Sequence, residues 1–310
     1  VPSLIRHHRW LTPYVALVKN YGIPRYGELD PTLLFTTTFL LMFGTMFGDV
    51  GHGALIIGAS YYWRNRLKAF TSFLIAAGLF STLFGILYGS VFGFEETVIP
   101  ALWLSPIHHP NLMLTFALYW GMGFILLATL ITIINRWQEG NYAAALFNHT
   151  GIAGIGLYLG GFYATQHWML TGNFGIQQQL ALFLPILIIL SYKWHENQLP
   201  IGERLLVTLI EGLEAIINYL ANTLSFLRVA AFSLNHAALA IAIFTLADML
   251  TTPANWLIII LGNLFIVILE GAIVTIQVLR LEYYEGFSRF FRGDGKAFRP
   301  LINQLSSLDR

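Results

Sequence analysis

Eight apolar runs, at roughly 33–47, 50–63, 70–93, 112–135, 143–163, 178–193, 205–247 and 255–291, take up most of a 310-residue chain. Most lie near the ~20 residues that cross ~30 Å of hydrocarbon as a helix. With 56% of residues hydrophobic and only 11% charged, a soluble globular domain is a poor fit. The expected fold is all-α, a polytopic membrane protein with eight transmembrane helices, the last two long and steeply tilted. A net charge of +1 argues neither for nucleic acid, which is not expected as a partner, nor for a strongly acidic partner. The absence of cysteine excludes disulfides, thiolate metal sites and a cysteine nucleophile. The opening "VPSLIRHHRW" has neither an initiator Met nor a signal-like apolar stretch, and reads as a processed or truncated start.

The basic residues set an orientation. They cluster before the first run (Arg6, Arg9, Lys19, Arg25), in the second connector (Arg64, Arg66, Lys68), in the fourth (Arg136), in the sixth (Lys193, Arg204) and in the tail (Arg289, Arg292, Lys296, Arg299, Arg310). The connectors around 94–111, 164–177 and 248–254 hold none, so the positive-inside rule places both termini and the even connectors on the cytoplasmic side. The same rule splits 33–63 into two short spans with a turn near Asp49, because one long span would put basic flanks on both sides. Spans of about 15 residues reach only ~22 Å, so that turn is expected below the far surface, protected by protein. Glycines at 85, 89, 93, 156 and 160 have small-xxx-small spacing and are expected to pack helices closely.

Only two of the seventeen Lys and Arg fall outside these clusters, Arg228 and Arg280, and both lie within apolar runs. Those runs are unusual: unbroken, they would extend ~64 Å and ~55 Å, about twice the hydrocarbon thickness, so each must tilt, bend or protrude. On the seventh, Glu211, Glu214, Asn218, Asn222, Ser225 and Arg228 succeed one another at steps of three or four, forming one polar stripe that leads inward from the cytoplasmic end. His236 lies ~12 Å further outward, rotated by ~80°. On the eighth, Asn263, Glu270 and Gln277 repeat every seven residues and Arg280 comes three later. Because this span runs the other way, Glu270 is ~15 Å closer to the outer surface than Arg280.

Two offset polar paths therefore meet at arginine. A guanidinium at mid-membrane costs several kcal/mol unless solvated or paired, and it keeps its charge. Such a fixed charge can draw a carboxylate in, force it to release its cation, and stop protons leaking between the paths. The plainer alternative pairs Arg228 with Glu270, Glu214 or backbone carbonyls, and Arg280 with Glu282 or Glu285. His236 alone is equally compatible with a buried neutral imidazole, and Glu211 and Glu214 with a solvated acidic face.

In "GDVGHG", Gly48 and Gly51 permit a turn and close packing, Asp49 can cap the following helix, and His52 sits at its start. A metal centre wants three or four ligands, to which His108 and His109 in an outer loop add little, so no metal and no cofactor are expected. H-E-x-x-H, G-x-S-x-G and G-x-x-x-x-G-K-[ST] are all missing, which leaves hydrolase and nucleotide-binding readings without their essential parts.

The motifs "YGIPRYGELDPT" (21–32), "FGTMFGDVGHG" (43–53), "GILYGSVFG" (85–93), "LRVAAFSLNHAALA" (227–240) and "EGAIVTIQVLRLEYYEGFSRFFRGDGKAF" (270–298) run along nearly the whole chain. Together they resemble the membrane half of the large stator subunit of rotary V/A-type ATPases, called subunit a or subunit I. The resemblance implies that Arg228 is the family's essential arginine and Arg280 its second intramembrane arginine. Glu270, with His236 beside it, would serve the outer half-channel, and Glu214 and Asn218 the inner one, with Glu211 and Gln277 along the same ion pathway. It implies a cytoplasmic lead-in over 1–30, a six-helix bundle over 31–204, and two long tilted helices over 205–310 that embrace a ring of small proteolipid subunits. The ring glutamates would pass Arg228 one at a time, exchanging H+ or Na+, with no choice between the ions legible here. Peripheral-stalk and central-stalk subunits and the lipid bilayer would be further partners, in a bacterial or archaeal plasma membrane. Such a chain is no enzyme on its own but a non-hydrolytic subunit of an ion-translocating ATPase. Family members carry a large cytoplasmic domain ahead of the membrane part, which here is absent or removed.

Two rivals predict different things. A secondary transporter with a mid-membrane arginine site predicts inverted repeats and broken helices, neither evident in the hydropathy. An intramembrane metalloenzyme using Asp49 and His52 predicts bound metal.

Overall fold

The computed structural model describes residues 9–25, 28–68, 70–95, 99–196, 200–251 and 253–296. Arg6, Arg299 and Arg310 of the basic clusters lie outside them. Each apolar run is mainly helix, because a helix satisfies the backbone groups of a segment in hydrocarbon from within that segment. After α1 (Thr12–Tyr21) come α2 (Thr32–Met46), α3 (Val50–Tyr62), the short α4 (Arg64–Leu67) and α5 (Phe70–Tyr88). A two-stranded hairpin, β1 (Ser90–Val91) and β2 (Phe94–Glu95), precedes α6 (Pro110–Gln138) and α7 (Tyr142–Phe147). The chain continues through α8 (Ile152–Thr171), α9 (Ile176–Glu196), α10 (Ile201–Ser225), α11 (Leu227–Asp248), α12 (Ala254–Phe265), α13 (Gly271–Arg280) and α14 (Ser288–Phe290).

The chain is an all-helical integral membrane protein. Among the described residues, five helical stretches are long and apolar enough to cross a membrane: α5, α6, α9, the 48-residue Ile201–Asp248 and the 37-residue Ala254–Phe290. The expected count of eight is therefore larger than the number that meet this standard, because α2 and α3 are short and α8 is less apolar.

The core is built on α2. Phe35, Phe39, Phe43 and Phe47 recur every fourth residue, which stacks them along one face, with ring centroids 5.8, 6.3 and 5.7 Å apart. They pack against Phe73 on α5 and against Tyr283 and Phe287 near the end of the chain. Hydrophobic side chains remain exposed on the outer faces of α10 and α12, among them Leu209, Leu213, Ile217, Leu220, Leu257 and Ile260. Such faces suit lipid or another apolar subunit rather than water.

The glycine expectation needs a correction. Gly85 does bring two elements together, since a side chain there would meet the backbone of Asp49 and Val50. Gly89 and Gly93 are not on a helix: α5 ends at Tyr88, and both have left-handed backbone, φ 71 and 79, which turns the chain into the hairpin. The apolar run continues past the helix into the hairpin, where Ser90 and Gly93 are buried and the exposed Phe94 ring lies 4.1 Å from that of Phe244.

Both long helices are irregular near their polar residues. At Phe226 the i−4 ladder tightens, with Phe226 N–H bonded to the carbonyl of Thr223 and Val229 N–H to that of Phe226. The Phe226 ring fills the space above Gly121 and lies 5.2 Å from Phe124, so packing against α6 holds the bend. The last long helix contains two π-helical stretches, Ile266–Glu270 and Leu281–Phe287, which end at Glu270 and begin directly after Arg280. π-turns of this kind insert a residue and re-aim side chains, and they concentrate at functional sites.

Candidate functional site

Asp49 shows how the sequence builds one wall of the site. It is the N-cap of α3, with extended backbone, and its Oδ1 accepts the His52 backbone N–H at 2.8 Å. The hairpin supplies three more donors: Ser90 Oγ at 2.7 Å, Phe92 N–H at 3.0 Å and Gly93 N–H at 2.8 Å. One buried carboxylate thus satisfies a helix terminus and a tight turn together. Asp49→Ala removes a cap worth about 1 kcal/mol and orphans buried donors at about 1–3 kcal/mol each. The purified protein should melt several degrees lower, and Asp49→Asn, which can still cap, should melt between the two. An unchanged melting temperature would mean that water replaces the carboxylate.

The first turn of α3 faces α11 and α12. His52 Nε2 is 2.7 Å from Asn263 Oδ1, and the His52 ring is 5.3 Å from that of His236. His236 Nδ1 lies 2.7 Å from Glu270 Oε2, while Asn235 Nδ2 donates to Glu270 Oε1 at 3.4 Å. All of these except Asn235 are buried. Asp49, His52, Asn263, His236 and Glu270 therefore form one polar cluster inside an aromatic sleeve, with Phe47 4.7 Å from His236 and Phe92 5.7 Å from His52. The pairing of His236 with Glu270 matches their expected positions on adjacent helices. The joining of His52 to them was not legible, and neither was the role of Asn235. His108 and His109 are elsewhere, His108 being bonded to Ser105.

The arginines are differently placed. Arg228 is half-buried just past the Phe226 bend, and its Nη1 has no hydrogen-bond partner among the described residues. Glu285, itself buried, is the acidic group whose field reaches it, and Arg280 opposes it. Neither arginine has a carboxylate within 4.0 Å among the described residues. Glu270 and Glu214 are thus not the partners of Arg228, since Glu270 belongs to His236 and Glu214 points outward. Arg280 is exposed and Gln277 half-buried, whereas Asn263 and Glu270 face inside. The seven-residue stripe is therefore not one buried face, and its inward part ends with the π-stretch that closes at Glu270.

Along α10, Glu214 and Asn218 are exposed, and Asn222 and Ser225 are half-buried, leading to Arg228. Glu211 instead pairs with Lys193 at the end of α9, at 3.6 Å. Glu282 was expected only as a neighbour of Arg280, but it is fully enclosed beside Gly286 and Phe124, with Oε1 lacking a partner among the described residues.

Comparison with known proteins gives the chain its relatives. The chain is 26% identical to the A-type ATP synthase subunit I of Methanocaldococcus jannaschii, over 97% of its own length and 49% of the relative's. It is 27% identical to the protein of that name from Pyrococcus horikoshii, over 100% and 49%, and 26% identical to that of Aeropyrum pernix, over 97% and 51%. The chain spans about half the length of these curated relatives. Through residues 1–112 and 191–302, which include every residue of the Asp49 and Arg228 clusters, the chain belongs to the V-type ATPase 116kDa subunit family.

Proposed function

We propose that the chain is the membrane stator of a rotary A/V-type ATPase. Residues 31–204 form a bundle of six spans and 205–310 the two long tilted helices, preceded by a cytoplasmic lead-in over 1–30. Eight crossings keep both termini and every basic connector cytoplasmic. The observation that carries this reading is Arg228, a guanidinium at a helix bend with Nη1 lacking an acceptor among the described residues, directly after α10, which turns an apolar face outward. A carboxylate supplied by another apolar subunit fits both features.

In the mechanism, a rotor glutamate approaches Arg228 and gives up its ion, because two opposite charges in a poorly screened site are stabilised by several kcal/mol relative to the neutral acid. The released ion leaves by one path, and the next glutamate is refilled from the other. Glu214 and Asn218, open along α10, line the cytoplasmic path with Gln277. Glu211 stands at its mouth, held by Lys193. Glu270 and His236 serve the outer path. His236 turns one nitrogen to Glu270, so a proton moves between them without a change in heavy-atom positions. Arg280 adds a second positive charge between the paths. ATP chemistry belongs to other subunits, and proteolipids and stalk subunits are the partners.

Mass spectrometry of the complex purified with this chain in mild detergent tests the reading. A stoichiometric excess of a small proteolipid with a membrane glutamate is expected. A clean monomer or homo-oligomer, from cells shown to contain the rotor, would return Arg228 to an internal pair and bring the transporter forward.

A further inference from the structure

We propose that Asp49, His52 and His236 form a binding site for a divalent transition-metal cation, Zn2+ above all, that closes the path to Glu270. The site itself stands on geometry alone; its effect on transport rests on the half-channel reading above.

One ligand atom from each of the three residues lies within 4.8 Å of the others. His52 Nδ1 and Asp49 Oδ1 are 3.3 Å apart. That is about the edge of a tetrahedron whose centre lies ~2.0 Å from each corner, the usual zinc distance to nitrogen and oxygen. A modest approach of the His236 ring completes three ligands, with water as the fourth.

The surroundings prepare both imidazoles. Asn263 Nδ2 donates to the carbonyl of Ile259 at 2.8 Å, which orients the amide so that Oδ1 faces His52 Nε2. His52 therefore carries its proton on Nε2 and presents a lone pair at Nδ1, toward Asp49. Glu270 does the same for His236 by accepting from Nδ1, which places the lone pair on Nε2. An oxygen acceptor behind each histidine is the outer-shell arrangement of metal-bound imidazoles. Asp49 supplies the negative charge and is fixed by α3 and the hairpin. Coordination at Oδ1 competes with the N–H groups of His52, at 2.8 Å, and of Phe92, at 3.0 Å, the latter a residue with left-handed backbone, φ 52. Two imidazoles and one carboxylate favour zinc and its neighbours over sodium, magnesium or calcium. A zinc ion there would occupy the His236 nitrogen that a proton must use to reach Glu270.

The test uses the whole ATPase complex containing this chain, loaded with Zn2+ against a competing chelator and measured by X-ray absorption and metal content. Wild type should retain one more zinc per copy of this chain than His52→Gln, with nitrogen and oxygen at ~2.0–2.1 Å and the scattering of two imidazoles. Asn263→Leu, which keeps all three ligands, should weaken retention 10–100-fold, and it decides the matter should His52→Gln fail to assemble. Equal zinc in wild type and variants, or a spectrum with fewer than two imidazoles, overturns the site. Zinc added from the outer side should also slow ATP-driven ion transport. Zinc bound as described without slowing upholds the site and counts against the half-channel. Absence of binding with normal transport removes the site and leaves the half-channel standing.

Discussion

Arg228→Ala is expected to abolish ATP-driven ion transport in proteoliposomes containing the assembled complex. At the effective dielectric of a partly buried pair, opposite charges 4 Å apart gain about 4 kcal/mol. Losing that interaction returns a rotor carboxylate to its ion-bound form by a factor of roughly a thousand. The ring would then pass the stator still loaded, or protons would cross directly between the paths. Arg228→Lys should also fail, since an ammonium is a compact, strongly hydrated point charge whose proton can be lost on burial. The bend at Phe226 makes the geometry more demanding, because packing against Gly121 and Phe124 aims the side chain. Transport by Arg228→Ala at the wild-type rate, with this chain verified in the complex, would remove Arg228 from the ion-release step.

Glu270 should give a two-part result. Glu270→Gln keeps the volume and an oxygen that can accept from His236 Nδ1, so assembly should survive while transport falls by orders of magnitude. Glu270→Ala removes the acceptor for both His236 and Asn235. Breaking a buried pair in this way costs about 3–5 kcal/mol, so the alanine variant should lose transport and also melt lower than wild type. The comparison separates an ion-relay role from a structural one. If Glu270→Gln pumped normally, the His236–Glu270 pair would be a fold element and the outer path would lie elsewhere.

The division between what is local and what is not explains how much could be read in advance. Each apolar run announced its helix, since backbone satisfaction in hydrocarbon depends only on neighbours within a turn. Asp49 before "VGHG" announced a cap for the same reason. Arg228 and Arg280 stood out because charge is rare in such runs, and the ~12 Å offset from Arg228 to His236 comes from helical rise alone.

The structure decided what depends on distant pairs. His52 and Asn263 are 211 residues apart, and nothing in either neighbourhood announces the other. A glycine-rich turn therefore read as simple packing, whereas tertiary contact makes it one wall of the cluster around Glu270. Periodicity also assumes ideal turns. The π-stretch at Ile266–Glu270 breaks that assumption; Asn263 before it and Glu270 at its end face inward, while Arg280 is exposed. Which segments are mainly helical and which charges fall within them follows from local hydrogen bonding and composition, and is legible along the chain. Which polar groups meet is a matter of tertiary contact, because it depends on where bends, π-turns and aromatic packing aim side chains on helices far apart in the chain.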